Sequence, residues 1–335
     1  MKREIKFSLV FRDMWQSAGK YVPTVDQLTR VAPAIIEMGC FARVETNGGG
    51  FEQVNLLFGE NPNKAVREWT KPFHAAGIQT HMLDRALNGL RMSPVPDDVR
   101  QLFYKVKKAQ GTDIARTFCG LNDVRNIAPS IKYAKEAGMI SQCSLCITHS
   151  PVHTVEYYTK MAFELIELGA DEICIKDMAG IGRPYTLGRI VANIKEKYPE
   201  IPIQYHSHAG PGFNVASIME VCNAGCDYID VGMEPLSWGT GHADLLTVQA
   251  MLKDAGYYTF GIGKMHWYPQ RVKHGFDGTL LDESGRRQDP HFTSDYRQWF
   301  QVQAPGKNPD ATGIWWNDHG AGVYKLDEKL HPTYW

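Results

Sequence analysis

Residues 139–180, MISQCSLCITHSPVHTVEYYTKMAFELIELGADEICIKDMAG, hold two extended apolar runs with one amphipathic stretch between them. MISQCSLCITHS (139–150) and DEICIKDMAG (171–180) read as buried strands, and TVEYYTKMAFELIELG (154–169) reads as a helix closed by a glycine immediately before the next strand. The same cycle extends in both directions. Upstream, IKFSLVFRD (5–13) ends in Asp13 and precedes a helix over 24–39 that opens on a capping threonine and closes on Gly39. CFARVETN (40–47), IQTHMLDR (78–85) and TDIARTFCG (112–120) are each followed by a helical pattern, over 61–77, 96–111 and 122–138. Downstream, DEICIKDMAG pairs with a helix over 186–200, IPIQYHSHAG (201–210) with one over 214–225, and CDYIDVGMEP (226–235) with one over 243–257. Eight strand and helix pairs over residues 5–257 predict a (β/α)8 TIM barrel. The rival, a doubly wound open sheet, would carry a glycine-rich phosphate turn after its first strand, and FRDMWQS (11–17) is not one.

Composition narrows the function. The chain has 335 residues, 43% of them hydrophobic, and a net charge of −1, with lysines and glutamates interspersed along helix faces. No basic cluster recommends nucleic acid as a partner, and no run of eighteen apolar residues suggests membrane insertion. The expectation is a cytoplasmic protein acting on small molecules. Seven cysteines, odd in number and scattered through predicted strands and helices, fit buried free thiols. Cys143 and Cys146 lie three apart on one strand, so their thiols face opposite sides and do not converge on a metal.

In a barrel of this kind, chemistry sits at the C-terminal ends of the strands. Four residues are expected there: Asp13 ending the first strand, Lys176 late in the sixth, and His206 and His208 closing the seventh. The spacing His-x-His puts both imidazoles on one side of a strand. Two histidines and one carboxylate can bind a divalent metal and leave positions open for catalysis. Lys176 as an ammonium cannot ligate, whereas reaction with carbon dioxide would turn it into a carbamate anion that can. The residues permit that conversion without requiring it.

The pieces FRDMWQS, VETNGG, MLDRALN, LNDVRN, SPVHTVEYY, IKDMAG and HSH, in this order across residues 5–257, resemble the carboxyltransferase barrel of biotin-dependent keto-acid enzymes: pyruvate carboxylase, the oxaloacetate decarboxylase α subunit and the keto-acid subunit of transcarboxylase. The resemblance implies that Asp13, a carboxylated Lys176, His206 and His208 hold a divalent metal, zinc first, with manganese or cobalt as alternatives. It implies that Arg85 binds the carboxylate of a small keto acid, that Gln16 lies beside the same pocket and that Arg12 precedes the metal-binding aspartate. It implies transfer of a carboxyl group between carboxybiotin and an enolate of a pyruvate-like or oxaloacetate-like substrate. The biotin would come from a separate carrier protein served by a separate biotin carboxylase, and the assembly would be a homo-oligomer, a dimer. This chain departs from the family pattern at Trp15, Thr46, Asn47, Cys119 and Pro211, several of them in loops expected to shape the pocket.

Residues 1–257 are thus expected to form the barrel, and residues 258–335 a C-terminal extension serving as a cap or an oligomer contact. Within the extension, HGFDGTLLDESGRRQDP (274–290) reads as loop or hairpin, and Trp299, Trp315, Trp316 and Trp335 supply apolar surface for burial. The family's PGG…TN motif has only a weak echo in QAPGKNPDATG (303–313), and its proton-carrying threonine is not assigned to Thr312. GKMHW (263–267) lacks the context of a biotin attachment site. Two other readings remain open. One is a biotin-independent metal-dependent decarboxylase, aldolase or lyase on the same barrel, and the other is a scaffold protein without chemistry.

Overall fold

The structure is a computed structural model describing residues 4–18, 23–263, 271, 276–281 and 292–307. In chain order its barrel elements are β1 (Lys6–Leu9), α1 (Phe11–Ala18), α2 (Val25–Glu37), β2 (Phe41–Gly48), α3 (Gly49–Leu57), α4 (Pro62–Ala75), β3 (Gln79–Asp84), α5 (Asp97–Ala109), β4 (Ile114–Thr117), α6 (Val124–Glu136), β5 (Ile140–Cys146), α7 (Val155–Glu167), β6 (Glu172–Asp177), α8 (Pro184–Lys197), β7 (Ile203–Ser207), α9 (Asn214–Ala224), β8 (Tyr228–Val231) and α10 (Leu245–Asp254). The eight strands pair in parallel in sequence order, and β1 closes on β8 with Phe7 opposite Ile229 and Leu9 opposite Val231. This is the expected (β/α)8 barrel.

Local chemistry explains the helix starts and stops. Thr24 and Gln27 form a reciprocal capping box ahead of α2: the Thr24 hydroxyl accepts from the Gln27 backbone N–H at 3.4 Å, and the Gln27 side chain accepts from the Thr24 N–H at 2.9 Å. At the other end of a unit, Gly138 and Gly169 adopt φ of 73° and 100° after α6 and α7, a left-handed turn that costs glycine little and sends the chain directly into the next strand. Helix α7 buries Tyr158, Met161, Ala162 and Leu165, the spacing of one helix face against the sheet.

Two helices depart from expectation. FRDMWQSA is helix α1 rather than the end of the first strand, so Asp13 sits in its first turn. The side chains show why: Arg12 donates to Gln16 at 2.6 Å and Ser17 to Asp13 at 3.0 Å, pairs four residues apart that only a helix brings together, while Met14 and Trp15 turn into the core. Similarly, GGFEQVNLL forms α3 between β2 and the expected helix, α4.

By compactness the chain divides into residues 1–36 with 40–255, and residues 37–39 with 256–335. The second unit contains β9 (Phe260–Gly263), β10 (Gly278–Leu281) and α11 (Asp295–Gln303). Part of the segment read as loop or hairpin is therefore strand β10, which pairs in parallel with β9 rather than folding back on itself. Such a parallel pair needs a crossover connection, which a tight hairpin turn cannot provide. Asp295, beside the capping Ser294, accepts from the Leu281 N–H at 2.6 Å and pairs with Arg271 at 2.7 Å. Trp315, Trp316, Trp335, Thr312 and nearly all of GKMHW lie outside the described residues. Among the described residues, no helix is long and apolar enough to cross a membrane.

Candidate metal centre at the barrel mouth

A polar column rises through the barrel interior to the site. At its base Arg43 of β2 makes a two-pronged pair with Glu172 of β6, at 2.6 and 2.8 Å, and donates to Gln204 of β7 at 2.8 Å. Gln142 of β5 donates to Glu172 and to Gln204, at 2.7 and 2.9 Å, and accepts from Arg116 of β4 at 2.5 Å. Arg116 in turn pairs with Asp230 of β8 at 2.5 Å. Asp230 then meets Nδ1 of His206 at 2.7 Å.

At the top of this column, one oxygen of Asp13 faces three imidazoles. Its Oδ2 lies 3.4 Å from Nε2 of His206, 3.6 Å from Nε2 of His208 and 3.4 Å from Nε2 of His242. These four residues are the group among the described residues whose donor atoms converge as metal ligands do. Strand β7 positions His206, and His208 follows just beyond its end, so the spacing read in the sequence does bring the two rings together, with centroids 5.3 Å apart. His242 comes from the loop after β8, which an antiparallel bridge ties to His208.

The partners of the other ring nitrogens fix the tautomers. Nδ1 of His206 faces the Asp230 carboxylate, Nδ1 of His208 the Thr240 carbonyl at 2.6 Å, and Nδ1 of His242 the Ser207 carbonyl at 2.9 Å. These three partners are acceptors; Nδ1 of His206 also lies 3.3 Å from an Arg116 guanidinium nitrogen, but the Asp230 oxygen is closer, so each Nδ1 is read as carrying the proton and each Nε2 as facing the centre with its lone pair. Burial, with Lys176 second, holds the His206 imidazole well below its ordinary pKa, and burial beside His242 brings His208 down to about 4. Burial alone would raise the Asp13 carboxyl, but Arg12 and the neighbouring histidines keep it well below the usual range. The centre therefore sets the Asp13 carboxylate against neutral imidazoles at His206 and His208. Nε2 of His206 and Nε2 of His242 are buried without a hydrogen-bond partner, a costly state for polar atoms unless a cation occupies the space between them. The residues fit a divalent metal.

Lys176 stands beside this group on β6, opposite His206 in the strand register and 2% exposed. Burial lowers its pKa. Its Nζ lies 5.9 Å from the Phe118 ring centre, and among the described residues it has no carboxylate within ion-pair reach.

A second cluster flanks the first. Arg12 donates to Glu45 of β2 at 2.6 Å and to Gln16 at 2.6 Å, and lies 3.5 Å from the other Asp13 oxygen. Arg85, half-buried after β3, donates to the Leu90 carbonyl at 2.7 Å. The run Gly48–Gly50 explains how these side chains fit. A Cβ on Gly49 would stand 2.5 Å from Nη1 of Arg85 and 2.8 Å from the Leu90 carbonyl oxygen, one on Gly48 would stand 3.4 Å from Nε of Arg12, and one on Gly50 would collide with the Gln16 amide. Arg12, Gln16 and Arg85 thus share one glycine-lined wall. Trp15, where the family pattern differs, is buried beside Phe51, ring centres 6.5 Å apart.

Of the residues singled out in the sequence, Asp13, His206 and His208 converge, Lys176 borders them, and Arg12, Gln16 and Arg85 form the adjacent wall. His242 is the member that sequence reasoning misses: a lone histidine in the loop SWGTGHAD has no periodic signal, and only its position after the last strand of a barrel could draw attention to it.

Comparison with known proteins agrees with this architecture. The HMGL-like family profile matches residues 120–277. A pyruvate carboxylase component from Methanocaldococcus jannaschii is 34% identical over 249 residues, covering 74% of this chain and 43% of that protein. The methylmalonyl-CoA carboxyltransferase 5S subunit of Propionibacterium freudenreichii is 34% identical over 253 residues, covering 75% and 50%. The solved carboxyl transferase domain of Rhizobium etli pyruvate carboxylase superposes with a TM-score of 0.69 at 26% identity, over 75% of this chain and 43% of that one. The chain therefore spans half or less of the length of these relatives. These matches identify the barrel as a relative of the carboxyltransferase barrels of pyruvate carboxylase and transcarboxylase, with an HMGL-like segment over residues 120–277.

Proposed function

We propose that this chain is a metal-dependent carboxyltransferase that moves a carboxyl group between carboxybiotin, borne by a separate carrier protein, and a small keto acid of the pyruvate or oxaloacetate type. The observation that carries this reading is the adjacency of two groups at one barrel mouth: a converging set of lone pairs fit for a divalent cation, and a cationic wall of Arg12 and Arg85 with Gln16. The solved relative from Rhizobium etli is described with pyruvate and biocytin, which supports the substrate class.

When bound, a divalent ion supplies positive charge that steadies an enolate oxygen. Arg85 offers a planar fork of donors to the substrate carboxylate, and the Gly49 backbone leaves room for it. Gln16 is held by Arg12 through its carbonyl oxygen, which leaves its amide N–H groups to donate to substrate oxygens. In the forward direction the C–N bond of carboxybiotin breaks, the methyl proton of the keto acid passes to the biotin nitrogen, and the enolate carbon forms the new C–C bond. The reverse direction decarboxylates an oxaloacetate-like acid. Asp13, His206 and His208 hold the ion in this reading, zinc first, with manganese or cobalt as substitutes. Two side chains compete for the remaining protein position: Lys176 after carboxylation, and His242 as it stands. A cytoplasmic homodimer, working with a biotin carboxylase and a biotin carrier, completes the proposal.

The test is oxaloacetate decarboxylation by zinc-loaded protein with and without free biotin. Biotin is expected to stimulate turnover, and Arg85→Ala to abolish most of it. Turnover of a hydroxy-keto acid without biotin, and indifference of oxaloacetate turnover to biotin, would move the assignment to an aldolase or lyase.

A further inference from the structure

We propose that Asp84 is a positioning residue for the substrate: by fixing the left-handed turn at Ala86 it holds the Arg85 guanidinium at the glycine-lined wall, and so sets the affinity for the keto-acid carboxylate. It acts only through that turn and makes no contact with the metal centre. The proposal rests on the substrate role given to Arg85 in the proposed function and names what keeps that side chain in place.

The turn after β3 is costly for the residue that makes it. Ala86 is buried and has a φ of 49°, in the left-handed region where a Cβ crowds the backbone and which glycine normally fills. The Asp84 side chain offsets that cost. Its Oδ1 accepts from the Ala86 N–H at 2.9 Å, an Asx turn that bridges over Arg85. The rest of the turn builds on this start: the Arg85 N–H donates to the Gly89 carbonyl at 2.7 Å, and the Gly89 N–H to the Ala86 carbonyl at 2.9 Å. Nη1 of Arg85 then donates to the Leu90 carbonyl at 2.7 Å. The guanidinium is thereby folded against its own turn and packed on Gly49, where a Cβ would stand 2.5 Å from Nη1.

Asp84 is itself anchored. It is fully buried, and Thr117, its register partner on β4, donates to Oδ2 at 2.8 Å, while Tyr104 of α5 donates to Oδ1 at 3.1 Å. The Phe118 N–H also donates to the Asp84 carbonyl at 3.1 Å, so backbone and side chain are held together. The carboxyl group thus ties the turn to the barrel wall and to α5. Among the described residues, no carboxylate lies within ion-pair reach of the Arg85 guanidinium, which leaves its remaining donors for a substrate carboxylate. A side chain that aims this fork without joining it changes substrate binding and leaves the chemical step alone.

The experiment measures oxaloacetate decarboxylation by the full zinc-loaded chain at varied substrate, for the wild type, Asp84→Leu, Asp84→Asn and the double variant Asp84→Leu/Ala86→Gly. Thr117→Val and Tyr104→Phe are controls that remove the other donors to the carboxyl group and leave the Asx turn. Asp84→Leu should raise KM ~10-fold, the scale of the penalty for a left-handed alanine, with kcat within about twofold. Adding Ala86→Gly should restore the wild-type KM, because glycine takes the turn unaided. Asp84→Asn keeps an oxygen for the Ala86 N–H and should keep the KM, as should both controls. An unchanged KM in Asp84→Leu, no rescue by Ala86→Gly, or an equal rise in Thr117→Val would overturn the proposal. If the wild type does not turn over oxaloacetate, the proposed function falls and diffraction from Asp84→Leu crystals decides this point separately: Arg85 released from the Leu90 carbonyl supports it, and an unmoved Arg85 overturns it. Should Asp84→Leu not fold, Asp84→Asn decides by the same two measurements, with a raised KM or a displaced Arg85 as the contrary result.

Discussion

At the floor of the barrel, Arg43, Glu172, Gln142, Gln204, Arg116 and Asp230 are all buried, and none of their side-chain polar atoms lacks a partner. At the mouth, Nε2 of His206, Nε2 of His242, Nε of Arg12 and Oε2 of Glu45 are equally buried and have none. The floor draws its side chains from the strands alone, whereas the mouth draws them from helix α1 (Arg12), from strands β2 and β7 (Glu45 and His206) and from the loop after β8 (His242). A fully paired buried network fixes strand positions with little spare valence. Unpaired atoms above it cost stability, and they are tolerated where a ligand is to complete them. Asp230 belongs to both layers, accepting from Arg116 and Gln204 below and receiving the His206 ring above.

Breaking the floor should produce the largest effect. Glu172→Ala leaves the Arg43 guanidinium buried without its carboxylate, and a loss of about 3–5 kcal/mol is expected from breaking a buried pair. Urea unfolding followed by circular dichroism measures it, and a loss below about 1 kcal/mol would mean that the pair is not integral to the floor.

A pH effect follows at Asp84, at the end of β3 just before Arg85. Burial outweighs the hydrogen bonds it accepts from Thr117, the Ala86 N–H and Tyr104, and pushes its carboxyl up to about 7. The folded state therefore retains a proton that the unfolded chain releases near pH 4. The stabilisation is full below that range and is lost as pH rises towards about 7, by something on the order of 4 kcal/mol. Asp84→Asn should flatten this part of the stability curve measured by thermal unfolding between pH 4 and 7; an unchanged slope would assign it to other groups.

The smallest effect concerns the shared residue. Asp230→Asn keeps an oxygen for Arg116 but weakens the hold on the His206 ring, and zinc affinity measured by competition with a chelating dye should fall ~10–100-fold. Unchanged affinity would show that the floor does not orient the metal site.

Much of this is legible from the residues. Alternating runs and helix-ending glycines such as Gly138 and Gly169 report local chemistry, so the barrel and its order follow from short windows. Asp13, His206 and His208 stand out because strand ends in a barrel share one face. The position of Asp13 reads wrongly from sequence because FRDMWQSA continues an apolar strand without a break, and its helical character appears only in the Arg12 to Gln16 and Asp13 to Ser17 pairs. The floor has no signature in the sequence at all. Arg43 reaches Glu172 and Gln204 across separations of 129 and 161 residues, and no local pattern encodes such pairings. His242 is hidden for the same reason, since its meaning depends on a loop being folded back against His208.

The central claim, that Asp13 and three histidines surround a divalent ion, is tested most directly by diffraction from zinc-loaded crystals on both sides of the zinc absorption edge. One anomalous peak is expected among Asp13 Oδ2 and the Nε2 atoms of His206, His208 and His242. No peak there, with the imidazoles turned to other partners, would contradict it.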